Sequence, residues 1–269
     1  MCSGADGGDA TNISAQVPDA AAAATKTTEA LIGDLVLANH ILFNNGVVDA
    51  FGHVSVRHDA RPDRFLLARN MAPGNVTASD IIEFNLDGEP VNANGRRVYL
   101  ERFIHSEIYR AHPEIKAVVH SHSHAIVPLS VVKSFPLRPI FHMAGFIGKA
   151  APIFEIRDVG GNATDLLISN RRLGKALADM FADSKIVLMR GHGSTVVAET
   201  LQKVVYRAVY AEVNARYQVT ASALGPITYL TEEEAESCVQ NVEGQFQRPW
   251  DLWTEEARRT AAARFKPEN

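Results

Sequence analysis

The sequence predicts a single α/β domain that begins with an antiparallel meander. Amphipathic helical segments alternate with short apolar and β-branched runs, and no stretch of the 269 residues resembles a linker between folded halves. The first three strand-like runs follow one another without a helix between them, which is typical of an antiparallel meander and not of a βαβ repeat. Apolar residues make up 46% of the chain, which is enough for a sizeable core.

Charge and cysteine content exclude several functional classes. A formal net charge of −4 offers no basic surface for nucleic acid, and no apolar run reaches the eighteen residues that a membrane span needs. Cys2 and Cys238 lie far apart, so we expect no disulfide framework and a reducing cytoplasm. Residues 1–23 are rich in Gly, Asp, Ala and Ser and lack an apolar h-region, which predicts a disordered tail and not a signal peptide.

The elements of the first half follow from hydrophobic spacing. Apolar residues three and four apart predict a helix from Thr27 to Phe43 that ends at the Asn44-Asn45-Gly46 stop. A second amphipathic helix is predicted from Glu101 to Ala111, before Pro113. Strands are predicted at 52–57, 64–68 and 81–85, with a turn through 86–88 into 89–92, and at the apolar run that begins at Ala117.

The second half adds strands and longer helices. Strands are predicted at 152–156, 185–189 and 195–198, and helices at 171–181, at 201–224 and from Thr231, a good N-cap. Trp250 and Trp253 then follow in a region where little core remains for them to join. We therefore expect a main folded domain over residues 24–245 and a C-terminal tail over 246–269 that acts as a lid or an interface segment.

Histidines at the ends of two strands predict a metal site. His120 and His122 follow the apolar run, and positions two apart on an extended chain point to the same face. His192 lies between two glycines after the 185–189 strand, where the backbone is free to place an imidazole over the sheet edge. Glu101 is the best carboxylate, because it shares the inward stripe of its helix with His105. Three imidazoles and a carboxylate suit zinc or manganese and leave positions open for substrate.

Simpler interpretations of the same residues remain open at this point. A single histidine is usually a hydrogen-bonded core or surface residue, and Glu101 could be only a favourable charge at a helix N-terminus. His124 could be a third ligand from the same strand. A substrate-side role for His124 is the better interpretation, since a flat strand does not converge three successive imidazoles on one ion.

The spacing of these residues resembles a known family. Glu101, then His120-Ser-His122 preceded by Ala-Val-Val, then a distant Gly-His192-Gly is similar to the pattern of class II aldolases and adducins, over roughly residues 28–230. The resemblance implies a three-layer α/β/α sandwich around a mixed, mainly antiparallel sheet. It also implies a divalent metal on His120, His122 and His192, Glu101 as acid/base or further ligand, and a homotetramer with its site at a subunit interface.

The segments that cradle a substrate phosphate in the family's aldolases differ here. Their Gly-Asn-x-Ser, Thr-Pro-Thr-Gly and Ser-Ser-Glu become Gly-His53-Val-Ser, Ala-Arg69-Asn-Met and Tyr99-Leu-Glu101. His53, Arg69 and Tyr99, together with Arg102 and His124, are therefore the candidate substrate-binding residues. A guanidinium binds a planar carboxylate bidentately, which favours a flat acid over a sugar phosphate. A surface strand that carries His53 and Arg69 is the alternative.

The altered segments, with Phe141-His142-Met143-Ala144-Gly145, resemble the family's metal-dependent decarboxylase branch. Its nearest activity is the manganese-dependent 4-decarboxylation of 3-hydroxy-2-methylpyridine-4,5-dicarboxylate in vitamin B6 degradation, with dihydroxyphthalate decarboxylases nearby. The resemblance implies Mn²⁺, with Zn²⁺ as the alternative, and Glu101 as the proton donor to the ring carbon that loses CO₂. Two other functions remain open: a metal-dependent aldolase for a hydroxy-keto acid or a sugar phosphate, and a non-catalytic module like the head domain of adducin.

Overall fold

A computed structural model describes residues 26–264 of the chain. The predicted tail over residues 1–23 lies outside the described residues. Within them the chain forms seven strands and eight α-helices, joined by short 3₁₀ turns. In chain order these are α1 (Thr28–Asn44), β1 (His53–Arg57), β2 (Arg64–Ala68), β3 (Ile81–Asn85), α2 (Arg102–Ala111), β4 (Ala117–Ser121), α3 (Ile126–Val131), β5 (Ile153–Phe154), α4 (Arg157–Gly160), α5 (Arg171–Ala178), β6 (Ile186–Met189), β7 (Gly193–Ala198), α6 (Leu201–Leu224), α7 (Glu232–Asn241) and α8 (Gln247–Arg264).

The strands form one mixed sheet in the order β3-β2-β1-β4-β7-β6-β5. Every neighbouring pair is antiparallel except β5 with β6, which is parallel. The predicted meander is confirmed as β1, β2 and β3. Its continuation into 89–92 is wrong as a strand, because beyond the turn only Pro90 forms a bridge, to Phe84. The mixed, mainly antiparallel sheet of the predicted sandwich is confirmed.

Helices cover the sheet as layers. On one side α2 packs against α5, and α2 rests on β1 through His105. In the other layer α1, α6 and α8 pack together, and α1 and α6 contact the central strands β1, β4 and β7. The central strands are buried along their whole length, as expected for a sheet that is covered on both faces. Among residues 26–264, no helix has the length and apolar composition to cross a bilayer.

The C-terminal segment differs from the predicted tail. Residues 247–264 form α8, which contacts both α1 and α6. Trp250 and Trp253 are buried in the same core cluster as the sheet residues. The expectation that little core remains for these tryptophans is wrong. The sheet covers only one side of α1 and α6, and α8 packs its inner face against apolar side chains on the side that the sheet does not cover. Sequence periodicity within α8 alone does not show that surface.

Candidate metal centre

Four predicted ligands from three places in the fold converge on one point. His120 is in β4 and His122 lies one residue beyond its end, while His192 is in the tight turn between β6 and β7. Glu101 is the N-cap residue of α2, so its carboxylate lies where the helix begins. One ligand atom from each of the four residues lies within 4.8 Å of the others. Because β4 pairs with β7, the strand register itself brings the two histidine segments together.

The distances show which atoms face each other. His122 Nε2 is 3.2 Å from His120 Nε2 and 3.0 Å from His192 Nε2. Glu101 Oε2 is 3.5 Å from His120 Nε2 and 3.6 Å from His192 Nε2. Three imidazole nitrogens and one carboxylate oxygen therefore surround a common space.

The loop before α5 orients two of these ligands. The Leu166 carbonyl lies 3.0 Å from His192 Nδ1, and the Ile168 backbone N–H donates to Glu101 Oε1 at 3.0 Å. A carbonyl only accepts hydrogen bonds, so Nδ1 of His192 carries the proton and Nε2 keeps its lone pair for a metal. Leu166 has a φ of 70°, a left-handed conformation that is strained for leucine. Strain of this kind is found where the surrounding structure must place a functional group.

Burial sets the protonation state that metal binding requires. It lowers the pKa of His120 well below its ordinary value and lowers the pKa of His122 as well. Burial by itself raises the pKa of Glu101, but the neighbouring His120 and His192 lower it by more, so the net pKa lies well below the usual range. A lowered pKa leaves an imidazole neutral and a carboxylate ionised near neutral pH, which is the state that a divalent cation binds. The donor set fits Zn²⁺ or Mn²⁺.

An open cavity of about 230 Å³ lies beside the cluster. Its walls are mostly apolar or aromatic, and the described residues that line it include no lysine or arginine. Phe51 and Leu100 stand at its wall with 66% and 61% of their surface exposed. The lining residues are Ala50, Phe51, Gly52, His53, Asn70, Met71, Ala72, Tyr99, Leu100, Glu101, His122 and Leu167.

Two of the predicted substrate-binding residues line this cavity. The rings of His53 and Tyr99 pack against each other with their centroids 4.6 Å apart. The Tyr99 hydroxyl donates to the Met71 carbonyl at 2.5 Å, so its proton is already engaged, and burial raises its pKa to about 12. Tyr99 therefore offers the cavity the face of a neutral ring, not a cation or a free hydroxyl.

The other three predicted substrate-binding residues lie elsewhere. Arg69 is absent from the cavity wall, and its Nε forms an ion pair with Asp80 at 2.6 Å. Arg102 donates from Nε to the Gly88 carbonyl at 2.6 Å and holds the turn after β3. His124 is exposed and does not line the cavity. None of these three side chains lines the cavity in this structure: partners elsewhere hold the guanidiniums of Arg69 and Arg102, and His124 is exposed. A sequence motif does not show such partners.

Sequence reasoning missed several residues at the site. His105 was placed on the inward stripe of α2, but its contact with His53 was not anticipated. Ser55 could have been found from its two-residue spacing to His53 on β1. No local pattern indicates Phe51 or Leu167, which reach the cavity from loops far apart in the sequence.

A larger cavity of about 570 Å³ lies between the turn before β5, α6 and the start of α8. Its lining includes His142, from the Phe141–Gly145 motif, and Arg248, but no carboxylate and no second histidine. That cavity therefore lacks the ligands for a metal. Of these two cavities, only the smaller one borders the four-residue cluster.

Comparison with known proteins agrees with this geometry. Residues 33–219 match the family model described as Class II Aldolase and Adducin N-terminal domain. The chain is 39% identical over 240 residues to the decarboxylase tropJ of Talaromyces stipitatus, covering 81% of this chain and 90% of that protein. It is 28% identical over 206 residues to a 3,4-dihydroxyphthalate decarboxylase of Arthrobacter keyseri, covering 71% of this chain and 78% of that protein.

A solved structure shows the same fold. The L-fuculose 1-phosphate aldolase from Glaciozyma antarctica PI12 superposes with a TM-score of 0.71 at 22% identity, covering 89% of this chain and 92% of that chain. At this identity the likeness establishes the fold alone. The family match spans most of the described residues and includes all four residues of the cluster. The chain belongs to the class II aldolase and adducin family.

Proposed function

We propose that this chain is a divalent-metal-dependent decarboxylase, a carbon–carbon lyase that releases CO₂ from a flat ring carrying a hydroxyl beside a carboxylate. One observation carries the proposal: the three-histidine, one-glutamate cluster borders a small cavity with apolar and aromatic walls. Such walls suit a planar ring, and the small hydroxyl side chains that cradle a substrate phosphate in the family's aldolases are replaced along this wall by bulkier ones such as His53, Met71 and Tyr99.

The named relatives support a carboxylated aromatic substrate. One is named a decarboxylase, and another a 3,4-dihydroxyphthalate decarboxylase. The proposed substrate class is therefore a hydroxy-substituted aromatic or pyridine dicarboxylate. Within it 3-hydroxy-2-methylpyridine-4,5-dicarboxylate, of vitamin B6 degradation, is the pyridine candidate, and a dihydroxyphthalate is the benzene candidate.

His120, His122 and His192 would hold the ion through Nε2, with Glu101 Oε2 as a fourth ligand or a close neighbour. Mn²⁺ is the proposed metal and Zn²⁺ the alternative, since both accept nitrogen and oxygen ligands. A divalent ion there supplies Lewis acidity that polarises the oxygens of a bound hydroxy acid. The loop residues Leu166 and Ile168 keep the ligands oriented while substrate enters from the cavity.

Glu101 is the proposed proton carrier. Because its pKa lies well below the usual range, it rests as a carboxylate and accepts a proton before it can donate one. The hydroxyl of the bound substrate is the natural source of that proton. Glu101 would then return the proton to the ring carbon that carries the carboxylate, and CO₂ leaves as that carbon–carbon bond breaks. Overall, the carboxylate on the ring is replaced by hydrogen, and a proton from water restores the ring hydroxyl that gave up its own.

We also propose the homotetramer implied by the family, with the site at a subunit interface. Phe51 and Leu100, two large apolar side chains exposed beside the cavity, support this assembly because a neighbouring subunit would cover them. Light scattering coupled to gel filtration measures the assembly. A tetramer is the expected result, and a monomer at micromolar concentration would contradict it.

A substrate panel tests the proposed reaction. The Mn²⁺-loaded protein is incubated separately with a hydroxypyridine dicarboxylate, 3,4-dihydroxyphthalate, a hydroxy-keto acid and a sugar phosphate, and both CO₂ and aldehyde are followed. Matched dicarboxylates without the ring hydroxyl serve as controls. We expect CO₂ from the hydroxy-substituted rings alone.

Two results would contradict the proposal. Aldehyde without CO₂ would identify the aldolase alternative, which uses the same metal and the same glutamate. No bound metal and no turnover on any compound would identify the non-catalytic alternative.

A further inference from the structure

A buried chain of hydrogen bonds runs from the cavity into the core. His53 Nδ1 lies 2.7 Å from His105 Nε2, and His105 Nδ1 lies 2.6 Å from Ser55 Oγ. Ser55 Oγ lies 2.7 Å from the Tyr109 hydroxyl. All four side chains are buried, and His53 alone lines the cavity. His105, Ser55 and Tyr109 have no part in the metal cluster.

The two elements that carry this chain place it by their periodicity. His53 and Ser55 are two apart on β1 and point to the same face of the sheet. His105 and Tyr109 are four apart on α2 and lie one turn above each other on the side that meets β1. The packing of α2 on the sheet therefore holds this series of hydrogen bonds in place.

The Tyr109 end of this series of hydrogen bonds determines which atom donates in each of them. The only other acceptor near the Tyr109 hydroxyl among the described residues is the Lys116 carbonyl, at 3.5 Å. The 2.7 Å contact between Ser55 and Tyr109 exists whichever hydroxyl donates, so the two directions differ in what receives the Tyr109 proton: Ser55 at 2.7 Å or the Lys116 carbonyl at 3.5 Å. The short contact is the stronger hydrogen bond, which favours Tyr109 as the donor to Ser55.

Each following bond is then fixed in turn. Ser55, having accepted from Tyr109, donates its own proton to His105 Nδ1. His105 therefore carries its proton on Nε2 and donates it to His53 Nδ1. A neutral imidazole has one N–H, so His53 carries its proton on Nε2. His53 forms its hydrogen bond through Nδ1, and Nε2 has no hydrogen-bond partner among the described residues.

We propose that His105 is a positioning residue that, with Ser55 and Tyr109, fixes His53 as an Nε2–H donor directed into the cavity, where it binds a carboxylate or oxyanion of the substrate. The inference rests on the proposed function for the identity of that anion. The inference assigns recognition of the anion to the neutral N–H of His53. Arg69 cannot take that role while its guanidinium is paired with Asp80.

Electrostatics agrees with a neutral donor. Burial, followed by the proximity of the two imidazoles, lowers the pKa of His53 well below its ordinary value. Burial likewise lowers the pKa of His105 to about 3. The hydrogen bonds require the same state, because an imidazolium has no lone pair with which to accept the next proton along the series. A rigid N–H dipole, and not an imidazolium, therefore faces the substrate.

Nitrogen NMR reads the proposed tautomer without any turnover. Zn²⁺-loaded protein labelled with ¹⁵N-histidine is used because Zn²⁺ is diamagnetic, and the His53 signals are assigned by their loss in His53→Gln. We expect His53 to show a protonated Nε2 and an unprotonated Nδ1. Ser55→Ala removes the donor to His105 and should move these signals toward a mixture of tautomers. Ser106→Ala removes a buried hydroxyl that takes no part in these hydrogen bonds, and it should leave the His53 signals unchanged.

Kinetics tests the function of the tautomer. His105→Leu removes the donor to His53 and should raise KM about tenfold or more, with kcat changed much less, because the contact exists in both ground and transition states. His105→Gln keeps an N–H near the position of Nε2 and should recover most of the loss. Bound metal is measured in each variant, so that a ligand displaced by misfolding is recognised.

The outcomes separate this inference from the proposed function. A His53 protonated on Nδ1 in the unmodified protein would overturn the inference whether or not CO₂ is released. Equal KM values for His105→Leu, His105→Gln and the unmodified enzyme would also overturn it. If His105→Leu does not fold, Ser55→Ala and His105→Gln still decide. Failure to release CO₂ from any substrate would reject the proposed function, while the NMR result would stand on its own.

Discussion

At the scale of single residues, Glu101 is subject to opposing influences. Burial alone raises the pKa of its carboxyl, but the neighbouring His120 and His192 lower that pKa by more, so Glu101 rests as a carboxylate. Its Oε1 is fixed by the Ile168 N–H at 3.0 Å, which leaves Oε2 for the metal or for a proton. Ligation and proton transfer therefore compete for the same oxygen.

Replacing Glu101 by Gln separates these two roles. Gln keeps the shape and can still accept at one oxygen, but it does not transfer a proton. We expect turnover to fall by about 10²–10⁴ with at least partial retention of metal, the range for loss of a general acid/base. Metal content and kcat are measured on the same preparation. Unchanged turnover would contradict the catalytic role, and loss of all metal would assign Glu101 mainly to ligation.

Residue identity predicted the cluster better than it predicted the substrate contacts. His120, His122 and His192 could be inferred because each follows an apolar strand, and strand ends meet at a sheet edge. The contacts of Arg69 and Arg102 could not be inferred in this way, since their partners Asp80 and Gly88 reach them only through tertiary folding. A motif gives the type of a side chain but not what it already binds.

At the scale of elements, the pairing of β4 with β7 determines the distance between His122 and His192. The pair Ser121 and Ser194 ends this ladder, and the Gly193 backbone passes close to the Ser121 carbonyl. A Cβ added at Gly193 would collide with that carbonyl and its neighbour. Gly193, the first residue of β7, is thus required for the close approach of two backbones and not for flexibility alone.

Gly193→Ala tests this close approach. The collision should push β4 and β7 apart at the ligand end, so we expect weaker metal binding and a lower melting temperature. The matched control is Gly33→Ala on the exposed face of α1, where an added Cβ meets nothing within 4 Å. That change should be neutral or stabilising by up to about 1 kcal/mol, because alanine favours helix. Normal metal affinity in Gly193→Ala would show that the strands accommodate the methyl group.

Element boundaries were largely predictable, whereas the order of strands was not. The bounds of β2, β3 and α6 follow the sequence pattern to the residue. The parallel β5–β6 pair and the place of α8 depend on which surfaces remain uncovered after the rest has packed. Hydrophobic period alone does not show those surfaces.

At the scale of the whole molecule, buried histidines link stability to pH. The pKa of His105 is about 3 in the folded protein and near 6.5 when it is unfolded. The unfolded chain therefore binds a proton between these values that the folded chain does not. The stabilising contribution is complete above pH 6.5 and is lost progressively as pH falls toward 3.

Urea unfolding of the chelator-treated protein measures this linkage. We expect His105 alone to account for a loss of about 2 kcal/mol between pH 6.5 and pH 5, at about 1.4 kcal/mol per pH unit. His105→Gln should reduce the slope of the unfolding free energy against pH by the contribution of one proton, about 1.4 kcal/mol per pH unit. Ser106→Ala, which alters the buried side chain next to His105 without removing a titratable group, serves as the control and should leave the slope unchanged. An unchanged slope in His105→Gln would contradict the account of a neutral buried imidazole.

The most direct measurement of the central claim follows CO₂ release while metal is returned to the chelator-treated protein. With a hydroxy-substituted dicarboxylate in excess, the account predicts a rate that rises in proportion to bound Mn²⁺ and levels off at one ion per chain. His192→Ala, which loses one of three imidazole anchors, should bind little metal and release little CO₂, and His124→Ala should behave as the unmodified protein. CO₂ release that is independent of bound metal, or full metal and full rate in His192→Ala, would contradict the account.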